Sequence, residues 1–379
     1  MRIVSIVGTR PQLIKAAALE PLLRAAADAT LIDTGQHWDH ALAGTFFAEL
    51  GLPRPEYDLG IGGGGHGEQT GRMLVALEPL LRSLRPDAVI VYGDTNSTLA
   101  GALAAAKLGQ PVAHVEAGLR SFDRTMPEEL NRVVADHLSR WCLAPTPTAV
   151  ADLAREGITE GVVLVGDLMQ DLAARILPEV RAPAVLAEVA DRLVSEAARR
   201  PELAPGRYTY ATIHRAENRT PGAMRAWAAL LASAVTVDRP VILALHPGTR
   251  AALRDAAIAL PELVHVVEPV GYRTSLALQL HAAAVITDSG GVQREAAWLG
   301  TPCLVLRSST EWPEAVAAAR GAMVLIGRDL EAGRAALERL APADDAPALA
   351  AARAAAVDLP SAGAAAAIVA ALTGTAPGR

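Results

Sequence analysis

Short apolar runs alternating with longer helical stretches organise the first half of the chain. Residues 2–7 make one such run, and Gly8, Thr9 and Arg10 then lead to Pro11, which suits a first helical turn because its missing N–H would have no partner there. The same order recurs in DAVIVYGDTNSTLAGALAAAKLG, where a buried-strand pattern reaches Gly93 and Asp94 before a helix of small residues. PVAHVEAG, WCLAPTP and GVVLVGD continue the alternation to about residue 167. This pattern predicts an α/β unit, a mostly parallel sheet covered by helices.

A second series of strand candidates follows: YTYATIH, PVILALHP, LVHVVEP, AAVITDSGG and PCLVLR, most of them separated by helical sequence. Between the two series, Leu186 to Pro205 combines charged helical sequence with Pro and Gly near its end and reads as the entrance to a second domain. A length of 379 residues agrees, being more than one hydrophobic core usually organises. The boundary is expected near 170 to 185, giving domains at 1–175 and 176–360 and a final segment 361–379. The recurring strand-helix order is not a sequence repeat of fixed period.

Composition narrows the class. Hydrophobic residues make up 51% of the chain, but many are Ala, and stretches such as AARAAAVDLPSAGAAAAIVAALTG are broken by charge, Pro and Gly as in helices of soluble proteins. The opening MRIVSIVGTRP meets Gly and Arg too soon for a signal peptide or a membrane span. With 35 basic and 41 acidic residues, a net charge of -6 and no basic block, neither nucleic acid nor an anionic membrane is an expected partner. Cys142 and Cys303 sit in apolar contexts far apart, so core positions and a reducing cytoplasm are expected.

Candidate chemistry gathers where strands end, because an open parallel sheet offers its binding groups outside the carboxyl ends of its strands. Arg10 and Lys15 lie in the first strand-to-helix segment, where they face solvent, neutralise an anion or hold an acidic network. Asp94 follows VIVYG and Glu116 follows VAHV, positions at which a buried carboxylate needs a partner, water or a shared proton. Glu128 and Glu129 open the next helical segment, with Arg120, Asp123 and Arg132 available as ion-pair partners. A catalytic cleft and a structural salt-bridge network both fit these charges. His214 and His246 each follow an apolar strand, but neither lies in H-E-x-x-H or any short metal-ligand spacing. In DSGGVQREA, a turn of small residues opens a helix and offers backbone N–H groups and the Ser289 hydroxyl to a phosphate, or simply packs a strand against a helix. Glu295 stands six residues on, far enough to address another part of a nucleotide. Gly62 to Gly65 make a loop and no Walker motif, and the first strand lacks the G-x-G-x-x-G that a dinucleotide oxidoreductase would carry.

Taken together, GTRP, GDT, HVEAGLR, MPEE-N-R, IHR-EN and DSGGVQ-EA resemble the non-hydrolysing UDP-N-acetylglucosamine 2-epimerase family across essentially the whole chain. The resemblance implies two Rossmann-like domains in a glycosyltransferase-B arrangement with an interdomain cleft, the C-terminal one binding nucleotide and the final helix returning to the first. It implies a cytoplasmic homodimer that uses no NAD, no other cofactor and no metal. It assigns Arg10, His214, His246, Ser289, Gly290 and Gly291 to the nucleotide or its diphosphate, and Glu295 to the ribose. Lys15, Asp94, Glu116 and Glu128 become the catalytic charged network, and His214 stabilises the departing anion. The implied reaction is reversible inversion at C2 between UDP-GlcNAc and UDP-ManNAc through 2-acetamidoglucal. The first loop also resembles that of relatives acting on UDP-2,3-diacetamido-2,3-dideoxyglucuronic acid, whose C2 epimerisation is the alternative reading. Gln12, Trp38 and Asp39, Ala216 and Trp312 depart from residues common in the family, so a regulatory second substrate site is not carried over.

Overall fold

The structure is a computed structural model that describes residues 1–36, 47, 49–193, 202–342 and 344–374. Trp38 and Asp39 therefore lie outside the described residues, as does most of the second half of the segment Leu186 to Pro205. The chain divides into two compact units, Met1–Leu172 with Pro360–Arg379, and Ala173–Leu359. The first division falls inside the helix Leu168–Val180.

Unit 1 is built on a seven-stranded sheet of order β3-β2-β1-β4-β5-β6-β7. Its strands are β1 Arg2–Val7, β2 Asp28–Asp33, β3 Tyr57–Asp58, β4 Ala88–Tyr92, β5 Val112–Val115, β6 Trp141–Ala144 and β7 Val162–Leu164. All their pairings are parallel. Strands of such a sheet are covered on both faces, which is why RIVSIV and VIVY carry buried residues in succession without alternation. Ala-rich helices fit because small side chains let a helix approach the sheet closely. In helix Asn96–Lys107, Ala100, Ala102, Ala104 and Ala105 are buried within the same core as Val4, Ile6 and Val91.

The sheet grows outward in both directions from β1, since the chain runs from β1 to β2 on one side and returns to β4 on the other. The loops leaving β1 and β4 diverge, and the crevice between them is the natural ligand position of such a sheet. Unit 2 repeats the arrangement with six parallel strands in the order β10-β9-β8-β11-β12-β13. They are β8 Thr209–Ile213, β9 Val241–Leu245, β10 Val264–Val267, β11 Ala284–Thr287, β12 Cys303–Val305 and β13 Met323–Leu325. Here the loops diverge between β8 and β11.

The α/β class and the strand segments read from the sequence are therefore those observed. Three strands had no sequence signal strong enough to be recognised. β2 begins with Asp28 directly after an Ala-rich helix, β3 is two exposed residues long, and β13 is three residues behind a turn at Gly321. Among the described residues no helix is long and apolar enough to cross a membrane. Cys142 and Cys303 are buried and unpaired, and burial pushes both thiols up to about 12.

Helix Ala364–Thr373 packs against helix Arg10–Ala26 within unit 1. Its entry is fixed by Asp171, whose carboxylate accepts from Ser361 Oγ at 2.6 Å, Gly363 N at 2.9 Å and Ala365 N at 2.8 Å. Gly363 cannot cap through a side chain of its own, so a residue remote in sequence satisfies the amides that open the helix. Asp171→Ala is expected to cost about 1–2 kcal/mol. The check is a lower urea midpoint together with faster amide exchange over residues 364–373; unchanged exchange there would remove Asp171 from this role.

Candidate active site

The strand ends of unit 1 concentrate buried charge. Lys15, on the first helix, and Glu116, just past β5, are both buried and form an ion pair. Glu116 adopts a left-handed backbone at φ 67°, an uncommon conformation for a residue with a side chain. Gly93 makes room for the pair, because a Cβ there would stand 3.3 Å from both Glu116 Oε2 and Lys15 Nζ, and its own φ of 61° favours glycine. Asp94 pairs with Arg132 from helix Pro127–Leu138, and Asn131 Nδ2 of the same helix donates to the Asp94 carbonyl at 2.9 Å. The Asp94 side chain keeps 27% of its surface open, so it can meet a ligand, whereas Arg132 behind it is nearly enclosed at 8%.

The two glutamates of MPEE have different fates. Glu129 is buried and accepts from Ser121 N at 2.8 Å, Ser121 Oγ at 2.9 Å and Phe122 N at 3.0 Å, which fixes the loop before the helix. Glu128 is exposed in the first helical turn and meets neither Asp94 nor Glu116 through a direct polar contact. Arg10 is half-buried as the first residue of the first helix. Gln12 is buried: its Oε1 accepts from Thr9 N at 3.1 Å, while its Nε2 donates to Tyr92 O at 2.7 Å and to the hydroxyls of Thr95 and Thr98 at 2.9 and 3.0 Å. That side chain ties the loop after β1 to the loop after β4.

A chain of alternating charges, buried from His114 to Arg120 and reaching the surface at Glu156, was not read from the sequence as a network. His114 on β5 bonds Asp136, which also pairs with Arg120, and Arg120 in turn makes two hydrogen bonds to Glu156 at 2.8 and 2.7 Å. Burial pushes the Asp136 carboxyl up, but the His114 ring and then the Arg120 guanidinium outweigh it and hold Asp136 below the usual carboxylate range. A usable signal was present: Glu129, Arg132 and Asp136 share one helix face, and that face is buried.

Unit 2 brings its candidates to the ends of β8, β9 and β11. His214 Nδ1 lies 3.0 Å from Asp288 Oδ1, and 46% of the His214 side chain is open to solvent. His246 caps helix Pro247–Asp255, its Nδ1 accepting from Gly248 N at 3.1 Å. Ser289 caps helix Gly290–Leu299, its hydroxyl accepting from Val292 N at 3.4 Å, and Gly290 and Gly291 form the first turn, where unpaired N–H groups favour an anion. Glu295 is buried on that helix and accepts from Gln279 Nε2 at 2.5 Å. Ala216 opens a short 3-10 turn, and Trp312 stacks 3.7 Å from the Arg294 guanidinium. Among the described residues, no group of three or more His, Cys, Asp and Glu is arranged to hold a metal ion.

Against this geometry, the family model described as UDP-N-acetylglucosamine 2-epimerase matches residues 22–373. The chain belongs to the UDP-N-acetylglucosamine 2-epimerase family. It is 41% identical over 342 residues to the UDP-N-acetylglucosamine 2-epimerase of Methanocaldococcus jannaschii, covering 87% of this chain and 90% of that one. It is also 41% identical over 334 residues to the UDP-2,3-diacetamido-2,3-dideoxy-D-glucuronate 2-epimerase of Pseudomonas aeruginosa, covering 86% and 88%. The crystal structure of the M. jannaschii UDP-GlcNAc 2-epimerase in complex with UDP-GlcNAc and UDP superposes with a TM-score of 0.80 at 39% identity, over 90% of this chain and 93% of that one.

Asp288 is the residue of this epimerase-family fold that the sequence hid most completely. It is fully buried and accepts from His214 N at 3.0 Å, Arg215 N at 2.9 Å and Asn218 Nδ2 at 2.9 Å, so DSGG organises IHRAEN. Burial raises its carboxyl, but the His214 bond, followed by Asn218 and Arg215, brings it down to about 2 from an ordinary 3.8. The depressed value contributes about 2 kcal/mol of stability, present above the unfolded pKa and lost as pH falls toward the folded one. Asp288→Asn should therefore lie about 2 kcal/mol below wild type at pH 7, with the gap narrowing between about pH 4 and pH 2. Urea unfolding at both ends of that range tests it, and a gap independent of pH would contradict the assignment.

Proposed function

We propose that this protein interconverts UDP-GlcNAc and UDP-ManNAc by inversion at C2. The observation that carries the reading is the pair of ion-paired carboxylates, Asp94 and Glu116, at the ends of the adjacent strands β4 and β5 in a chain of this family. Removing the C2 proton leaves an electron pair that forms the C1=C2 double bond as the C1–O bond breaks toward the diphosphate. The products are UDP and 2-acetamidoglucal. In the return step a diphosphate oxygen attacks C1, and C2 takes a proton on the opposite face. No net oxidation occurs, so the work consists of proton transfer and stabilisation of the leaving anion.

In this reading Asp94, Glu116 and Glu128 handle the protons. Lys15 is the ion-pair partner that holds Glu116 in place, and Arg132 is that of Asp94. Arg10, His214, His246 and the Ser289-Gly290-Gly291 turn bind the diphosphate, and Glu295 holds the ribose. The His214 arrangement supports its part, since Asp288 on Nδ1 turns Nε2 outward. A homodimer in a reducing cytoplasm belongs to the same reading; two buried free thiols agree with the compartment, and light scattering on the purified protein measures the mass.

The test is incubation with UDP-GlcNAc, in deuterated water with a chelator and without NAD, followed by NMR of the product. UDP-ManNAc deuterated at C2 is expected. Conversion of the diacetamido uronate alone would replace the substrate, and the equally similar Pseudomonas aeruginosa relative makes that the control to run in parallel. Glu116→Gln and Asp94→Asn should each lower kcat by about 10²–10⁴-fold with UDP binding retained. Near-normal turnover in both variants would overturn the assignment of the proton-transfer groups.

A further inference from the structure

His114 is a buried titratable group to which the reaction above gives no part. It lies on β5, two residues before Glu116, and none of its surface meets solvent. Both ring nitrogens end on oxygens, Nδ1 on Asp136 Oδ1 at 2.6 Å and Nε2 on the Gly93 carbonyl at 2.6 Å. A carbonyl has no proton to give, so Nε2 carries one. The other Asp136 oxygen accepts from Gly118 N at 3.1 Å and from Arg120 Nη1 at 2.8 Å, the surroundings of an ionised carboxylate, so Nδ1 carries a proton as well.

The consequence lies on the neighbouring strand. Gly93 immediately precedes Asp94, and both of its backbone groups are held by β5: its N–H donates to Val115 O at 2.9 Å, and its carbonyl accepts from His114. We propose that His114 is a positioning residue for this reaction, an imidazolium anchored by Asp136 whose Nε2–H fixes the Gly93 turn and so sets Asp94 against Glu116. The proposal rests on the epimerase reading and adds to it the group that keeps the two carboxylates in register.

The charges around the ring fit this role. Asp136 faces it from helix Pro127–Leu138, Arg120 comes from the loop after β5, Glu156 follows helix Pro147–Arg155, and Cys142 lies opposite on β6. With His114 charged, the series His114, Asp136, Arg120, Glu156 alternates and balances. A neutral ring would leave the buried Asp136 carboxylate with one cation fewer and the series with a net negative charge.

His114→Gln and Asp136→Asn are the informative variants, with kcat, KM, the Kd for UDP and the melting temperature measured for each. The expected result is a kcat lower by about 10²-fold, the cost of a small misplacement of reacting groups, with KM and the UDP Kd nearly unchanged. A normal kcat in either folded variant, or a change confined to KM, would overturn the proposal. Nitrogen-15 NMR of histidine-labelled wild-type protein gives a readout independent of turnover and of variant folding. Two protonated ring nitrogens are expected at His114, assigned by the signal missing from His114→Gln or by its contacts to Gly93 and Asp136. A single-proton tautomer there would defeat the inference. Failure of the wild type to epimerise either UDP-sugar would bring down the underlying function instead, a distinguishable outcome.

Discussion

A carboxylate removed from water must find a compensating charge or donor set, and unit 1 meets that requirement at the ends of neighbouring strands. Glu116 finds Lys15 and Asp94 finds Arg132, with the cations supplied by two different helices. Much of the local structure follows from these pairs. Glycine is needed at position 93 because a side chain would enter the space of the Lys15–Glu116 pair, and the left-handed backbone of Glu116 aims its carboxylate back across the strand ends. Such strain is tolerated where the surroundings over-determine the conformation. Here β4, β5 and two helices do so together.

The fold was legible because buried parallel strands leave mostly apolar runs before turns of small residues, and VIVYGD, VAHVEAG and AVITDSGG follow that pattern with His114 as the one polar interruption. Where the run was short or began with a charge, as at β2 and β13, the signal disappeared although the strand was present. Strand-end position also singled out Asp94, Glu116, His214 and His246 without any knowledge of their partners. The partners were another matter. His114 meets Asp136 across 22 positions, and His214 N meets Asp288 across 74, separations that no local pattern encodes. Sequence likewise could not divide the work between Glu128 and Glu129, because adjacent residues in a first helical turn differ only in the direction they face, and the loop from Ser121 to Phe122 decides which is enclosed.

The two units solve different electrostatic problems with the same topology. Unit 1 matches its strand-end carboxylates with cations from neighbouring helices. Unit 2 uses Asp288 in the opposite sense, as a buried anion that collects backbone N–H groups at the end of β8 and holds the His214 ring by one nitrogen. A carboxylate with that many donors is difficult to protonate, and it leaves the exposed face of the site to the histidine and to the helix N-terminus at Ser289. An anion arriving there meets positive potential, with the buried negative charge already matched by its own donors.

Gln12 shows how the same reasoning applies to a departure from the family pattern. Its amide nitrogen faces the Tyr92 carbonyl at 2.7 Å, an acceptor with no proton, and its oxygen receives Thr9 N–H at 3.1 Å. An ionised carboxylate at this position could keep the Thr9 bond and accept from the threonine hydroxyls, but it would set an oxygen against the Tyr92 carbonyl inside a buried site. The amide satisfies both kinds of partner, and with them it joins the loops that leave β1 and β4. Lys15 stands one helical turn beyond Gln12, and Asp94 stands two residues beyond Tyr92. The substitution is therefore accommodated in the scaffold: the Gln12 side chain is spent on the loops, and the ion-paired carboxylates stand apart from it at the strand ends.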